Sequence, residues 1–211
     1  VASLRPDRPT LLPAPAPTLM EAFLVSTGIV ALAEIGDKTQ LLSFVLAARF
    51  KRPWPIVAGI FVATVFNHAA AGAVGAWITH LVGPDVMRWV LGLSFLAMAG
   101  WILVPDKLDD DEAPQARYGA FATTLIAFFL AEMGDKTQVA TVALAARFDS
   151  LAAVVLGTTF GMMLANVPAV LVGDKLAHKL PVKAIHVACA AIFAALGVAA
   201  LAGVDFAGWL G

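Results

Sequence analysis

Charge is scarce in this 211-residue chain: Asp, Glu, Lys and Arg make up 14% of it, against about 25% in a typical soluble domain. Hydrophobic residues reach 60% and mean hydropathy +0.85, which excludes a soluble globule and marks a membrane chain. Cysteine is nearly absent. The single Cys189 rules out an internal disulfide and a thiolate metal site. No basic excess exists either: net charge is -1 and the pI about 6.4, so there is no positive stripe for nucleic acid. The segment before Met20, VASLRPDRPTLLPAPAPTL, holds five prolines and no apolar run long enough for a secretory signal. Residues 1–19 are therefore expected to be a disordered tail, with Met20 as a natural start and Val1 to Leu19 as an upstream extension.

What the chain does have is long apolar runs. Stretches able to cross a roughly 30 Å hydrocarbon layer recur near 20–48, 54–80, 86–104, 118–147, 151–178 and 183–204. Ala, Leu, Val and Phe cover all faces of these segments, as in helices surrounded by lipid and by each other. The fold class expected is an all-α integral membrane protein with six transmembrane helices. A β-barrel would need alternating segments of about ten residues, which the sequence lacks.

An internal duplication organises these spans. Residues 33–50 read AEIGDKTQLLSFVLAARF and residues 131–148 read AEMGDKTQVATVALAARF, identical at 12 of 18 positions with an offset of 98. The same offset pairs Ser26 with Thr124, Ser43 with Thr141, Gly59 with Gly157, Gly75 with Gly173 and His80 with His178. The expected organisation is a first three-helix repeat over 20–104, an acidic cytoplasmic linker over 105–117, a second repeat over 118–205 and a tail over 206–211. Three crossings per half turn the second copy upside down, which gives two inverted repeats of the kind common in secondary transporters. Orientation follows from Lys and Arg outside the spans. Arg49, Lys51, Arg52, Lys107, Arg117, Lys175, Lys179 and Lys183 lie on one side, against Arg5, Arg8, Arg88 and Arg147 on the other. Eight against four makes the first side cytoplasmic and places both termini outside. The alanine-rich composition and absence of a targeting segment favour a bacterial plasma (inner) membrane.

Four acids lie inside these spans. Glu34 is fourteen residues into the first and Glu132 fourteen into the fourth, about 21 Å along a helix and near the bilayer middle. Asp37 and Asp135 follow one turn later. Carboxylates at that depth cost roughly 2.5–3.5 kcal/mol apiece on insertion scales. In continuous helices, Glu34, Asp37, Lys38 and Leu41 share one face, as do Glu132, Asp135, Lys136 and Val139. If the two faces meet, four carboxylates surround one point, with Thr39, Thr137, Gln40 and Gln138 able to add neutral oxygens. Such a cage suits hard dications such as Ca²⁺, Mn²⁺ and Mg²⁺. Each motif is -1 when ionised, so one dication or two protons would neutralise the pair. That is the basis of cation/proton exchange, with Glu34 and Glu132 as proton carriers because burial favours a neutral carboxyl. Lys38 and Lys136 would tune those acids or compete with the metal as counter-ions. Gly36 and Gly134 allow either close helix approach or local unwinding. The bland alternative is that Glu34–Lys38 and Glu132–Lys136 are structural i, i+4 ion pairs, which leaves Asp37 and Asp135 unpaired.

The two copies of E-x-G-D-[KR]-[TS], here Glu34-Ile35-Gly36-Asp37-Lys38-Thr39 and Glu132-Met133-Gly134-Asp135-Lys136-Thr137, resemble the Gdt family over roughly residues 20–205. That resemblance implies a cation/proton antiporter handling Mn²⁺ and Ca²⁺, associated in bacteria with manganese export. It implies metal-binding roles for Glu34, Asp37, Glu132 and Asp135. The expected function is therefore Mn²⁺ export in exchange for protons, with Ca²⁺/H⁺ exchange as the main alternative. A passive cation channel, an exporter of small organic cations and a sensor without transport rank lower. The partners are the metal ion, protons and the lipid bilayer, and self-association is left open. No enzyme constellation is visible, and the metal is cargo rather than a resident cofactor.

Asn67, His68 and Asn166 carry two readings: path-lining groups that orient the carboxylates, or interhelical hydrogen bonds, with the latter favoured for His68. His80, His178 and His186 read as interfacial. Ser26, Thr124, Ser43 and Thr141 read as packing hydroxyls bonded to their own backbone. Ala69, Gly72, Gly157 and Gly161 read as close-packing positions. The run Asp109 to Glu112 reads as a solvated loop, with cation gathering as its alternative.

Overall fold

The computed structural model describes residues 18–104, 118–172 and 181–203, and every regular element among them is an α-helix. Helix α1 (Leu19–Glu34) opens on a capping box, in which Thr18 Oγ1 accepts the Glu21 N–H at 3.1 Å and Glu21 Oε2 accepts the Thr18 N–H at 3.3 Å. Helix α2 (Lys38–Phe50) ends at Lys51, whose φ of 52° is left-handed. Pro53 opens α3 (Pro53–Leu81) and Pro84 opens α4 (Pro84–Trp101), at the one helical turn where a missing N–H costs nothing. The second half repeats this order with α5 (Gly119–Glu132), α6 (Lys136–Arg147), α7 (Leu151–Val172) and α8 (Val182–Leu201).

Two expected spans are not continuous. The segment 20–48 is broken at residues 35–37, and α1 and α2 are inclined by 71°. The segment 118–147 breaks at residues 133–135. Three helices, α3, α7 and α8, are long and apolar enough to cross a membrane, and the α1–α2 pair makes a fourth if counted as one span. The cause of both breaks is glycine. Gly36 at φ 83° and Gly134 at φ 80° occupy the left-handed region, which ends a right-handed helix and which a side chain resists. The expected single face of Glu34, Asp37, Lys38 and Leu41 is therefore overturned: Glu34 ends α1, Asp37 caps α2, and Leu41 is 38% exposed. The tail before Thr18, the Asp109 to Glu112 run, Lys107, Arg117, Gly173, Lys175, His178, Lys179 and the segment 204–211 lie outside the described residues.

Packing partners are exchanged between the halves. Helix α1 lies along α7 and α5 lies along α3. Gly157 meets Phe23 and Ser26, and Gly161 one turn later meets Thr27 and Ala31, so α1 and α7 run in the same direction. Gly59 meets Phe121 and Thr124, while the Asn67 amide donates to Phe129 O at 3.1 Å, so α3 and α5 also run together. Helices α4 and α8 pair through Gly92, Gly197 and the Phe95–Phe193 contact at 6.0 Å between ring centroids. Gly72 is a close-packing position against Leu151, as expected, but Ala69 is exposed. The surface is apolar: Trp54, Phe66, Trp77, Leu130 and Leu156 are all more than 60% exposed. The interior holds the charge, with Glu34, Asp37, Glu132 and Lys136 fully buried. Lipid is the solvent that suits this arrangement.

Candidate metal centre

Each helix break presents the two acids of its motif in different roles. Glu34 is the last residue of α1 and Glu132 the last of α5, at the partly negative helix ends. Asp37 and Asp135, both extended, are the N-caps of α2 and α6, where a carboxylate offsets the partly positive end. The rest of the motif holds the break. Gln40 Oε1 accepts the Gly36 N–H at 2.9 Å, and Gln138 Oε1 accepts the Gly134 N–H at 2.7 Å. Thr39 donates its hydroxyl to Glu34 Oε1, and Thr137 donates to Glu132 Oε2 at 2.7 Å. The four residues expected as extra oxygen ligands thus fasten the backbone turn and the glutamates.

The lysines reach across rather than along their own helices. Lys136 Nζ lies 3.2 Å from Asp37 Oδ1, with both side chains fully buried, and Lys38 Nζ lies 3.9 Å from Asp135 Oδ1. The structural i, i+4 pairs with Glu34 and Glu132 are not what forms. Each ammonium instead bridges the two halves, which leaves the glutamates to neutral donors. The two crossed contacts join the first motif to the second, so the motifs do converge. Among the described residues, however, no three His, Cys, Asp or Glu side chains form a ready-made metal cluster. The expected four-carboxylate cage is in this conformation a lattice of acids held by lysine, threonine and asparagine.

That lattice is incompletely satisfied. One oxygen of each acid, Glu34 Oε2, Asp37 Oδ2, Glu132 Oε1 and Asp135 Oδ2, is buried with no hydrogen-bond partner among the described residues. Unpaired buried carboxylate oxygens are costly in a protein interior, and carboxylate oxygens are the donors that hard dications take.

Asn166 is part of the site. Its Nδ2 donates to Glu34 Oε1 at 3.0 Å, and its Oδ1 accepts from Ser43 Oγ at 2.8 Å. Asn67 instead makes the interhelical bond to Phe129 described above. Thr141 bonds its own helix at Thr137 O, as expected, whereas Ser26 and Thr124 have no hydrogen-bond partner among the described residues and press against Gly157 and Gly59. His80 is exposed at the end of α3, but His186 is buried, not interfacial. Its Nε2 lies 2.7 Å from Ile35 O, at the first break. Its functional signal was absent from the sequence, because no local motif surrounds it.

Two broken helices with converging acids at both breaks define an ion-transporting membrane protein. The family described as "Divalent cation/proton antiporter GDT1" matches residues 22–110 and 120–205, and the chain belongs to it. A Vibrio cholerae protein named "Putative manganese exporter" is 50% identical over 188 residues, covering 89% of this chain and 94% of that protein. GDT1-like protein 5 of Arabidopsis thaliana is 25% identical over 87% of this chain and 96% of its own. GDT1-like protein 3 of Oryza sativa subsp. japonica is 26% identical over 78% of this chain and 67% of its own. No solved structure matches. The family is one of antiporters rather than catalysts.

Proposed function

We propose that this protein exports Mn²⁺ from the cytoplasm in exchange for protons, through one site built from both motifs. The observation that carries this reading is the set of four buried carboxylate oxygens without donors, one on each duplicated acid. The ion pairs sort the charge. Asp37 with Lys136 and Asp135 with Lys38 are each neutral, so Glu34 and Glu132 together hold the remaining -2 when ionised. One dication or two protons cancels it, and a site neutral with either occupant can rearrange in the membrane interior with either. Glu34 and Glu132 are the proton carriers, Asp37 and Asp135 complete the metal ligands, and the lysines are the counter-ions a cation must move aside.

The parallel seams α1–α7 and α3–α5 support a six-pass inverted repeat, because in that topology the first and fifth passes, and the second and fourth, run in the same direction. The Lys and Arg excess supports an orientation with the 49–53 connector inside and both termini outside a bacterial inner membrane. The name of the Vibrio relative favours Mn²⁺ over Ca²⁺, which shares the same oxygen ligands. Purified protein in vesicles with a pH-reporting dye tests the reading against Mn²⁺, Ca²⁺ and Mg²⁺. Mn²⁺ entry should drive protons outward. Cation flux without proton movement would instead make the protein a channel.

A further inference from the structure

At the repeat offset of 98, His68 on α3 is the counterpart of Asn166 on α7, and Thr141 is the counterpart of Ser43. Around the first motif these groups form a chain across the halves: Ser43 donates to Asn166, and Asn166 donates to Glu34. Around the second motif that chain is missing among the described residues. Thr141 turns to Thr137 O, and among the described residues Glu132 Oε1 has no partner and His68 is fully buried with neither ring nitrogen hydrogen-bonded. The interhelical bond expected of His68 belongs to Asn67, which ties α3 to Phe129, one turn before Glu132. On the other side of His68, Ala70 and Ala71 line an open surface groove with Gln138 and Val139. The imidazole is therefore bracketed at the level of the second motif, on a helix face whose repeat counterpart touches the first glutamate.

A side-chain amide nitrogen has no lone pair to give, whereas a neutral imidazole presents one at whichever ring nitrogen lacks the proton. Calcium and magnesium sites are built from oxygen, while imidazole is a ligand for transition metals. An oxygen-only cage separates Mn²⁺ from Ca²⁺ by size and rigidity alone, and a single nitrogen adds a chemical difference.

We propose that His68 is a specificity-determining residue, giving a ring nitrogen to the cation at the second motif and so favouring a transition-metal dication over calcium. This rests on the exchange reading above, and its test separates the two. The full chain, loaded with Mn²⁺ in detergent, is measured by electron spin-echo spectroscopy for nitrogen coupling to the metal. The same protein in vesicles gives Mn²⁺- and Ca²⁺-driven proton release. Wild type should show the coupling, and His68→Asn, which installs the residue type of its repeat counterpart Asn166, should remove it. His186→Gln should keep it, which assigns the nitrogen. In vesicles His68→Asn should lower the Mn²⁺ to Ca²⁺ rate ratio roughly tenfold, the usual scale for losing a metal-site partner, with Ca²⁺ exchange retained. Coupling absent from wild type, coupling surviving in His68→Asn, or an unchanged ratio each overturns the proposal. Equal loss with both cations also overturns it, because His68 would then position Glu132 without selecting. If wild type releases no protons with any cation, exchange itself fails, while the spectroscopy still judges the nitrogen.

Discussion

The segments Gly36–Gln40 and Gly134–Gln138 have the same sequence and the same backbone turn, yet their surroundings differ. At the first break, a Cβ on Gly36 would collide with Val182 of α8, and His186 bonds Ile35 O. At the second, nothing among the described residues lies within 4 Å of where a Cβ on Gly134 would sit, and Met133 is 55% exposed. The lysines divide the same way: Lys136 is fully buried on Asp37, while Lys38 is 22% exposed and more distant from Asp135. Identical motifs thus sit in unlike packing, although the acids of both are buried. Local sequence sets the turn and its acids, and the neighbouring helices set how tightly each turn is packed.

The largest expected effect treats the halves alike. Glu34→Gln and Glu132→Gln should each abolish proton-coupled exchange while leaving a folded, membrane-inserted protein, checked by vesicle flux and size-exclusion chromatography. Wild-type turnover in either variant would remove that glutamate from the exchange. The lysines should separate the halves. Lys136→Met strands a buried Asp37 and should lower stability in thermal unfolding by about 3–5 kcal/mol. Lys38→Met should cost about 1 kcal/mol or less, as for partly exposed pairs. Equal losses would mean that the two ammonium groups are equivalent. Gly134→Ala should cost about 1–2 kcal/mol for its left-handed backbone. Gly36→Ala should cost more, because Val182 must also move. His186→Ala should cost a similarly small amount, a single hydrogen bond worth about 1 kcal/mol, with no counterpart at the second break among the described residues.

Much of this site is legible in the sequence because duplication repeats it. The offset of 98 picks out the four acids and aligns His68 with Asn166. The helix breaks were harder to read. Apolar residues continue at helical spacing through 33–50, and one glycine between two acids fits either a close approach or an unwound turn. Asp37 followed by Lys-Thr-Gln does carry a helix-start signal, an N-cap residue before good helix formers, which the surrounding apolar run conceals. The crossed lysine pairs and the seat of His186 on Ile35 O were not readable, because both join residues about 100 or more positions apart through packing alone.

Calorimetry of Mn²⁺ binding in buffers of different ionisation enthalpy counts the protons that leave as the metal enters. With Glu34 and Glu132 as the shared seats, binding of one Mn²⁺ should release two protons, and the count should fall in Glu34→Gln and Glu132→Gln. Tight Mn²⁺ binding with no proton release would contradict exchange at these acids.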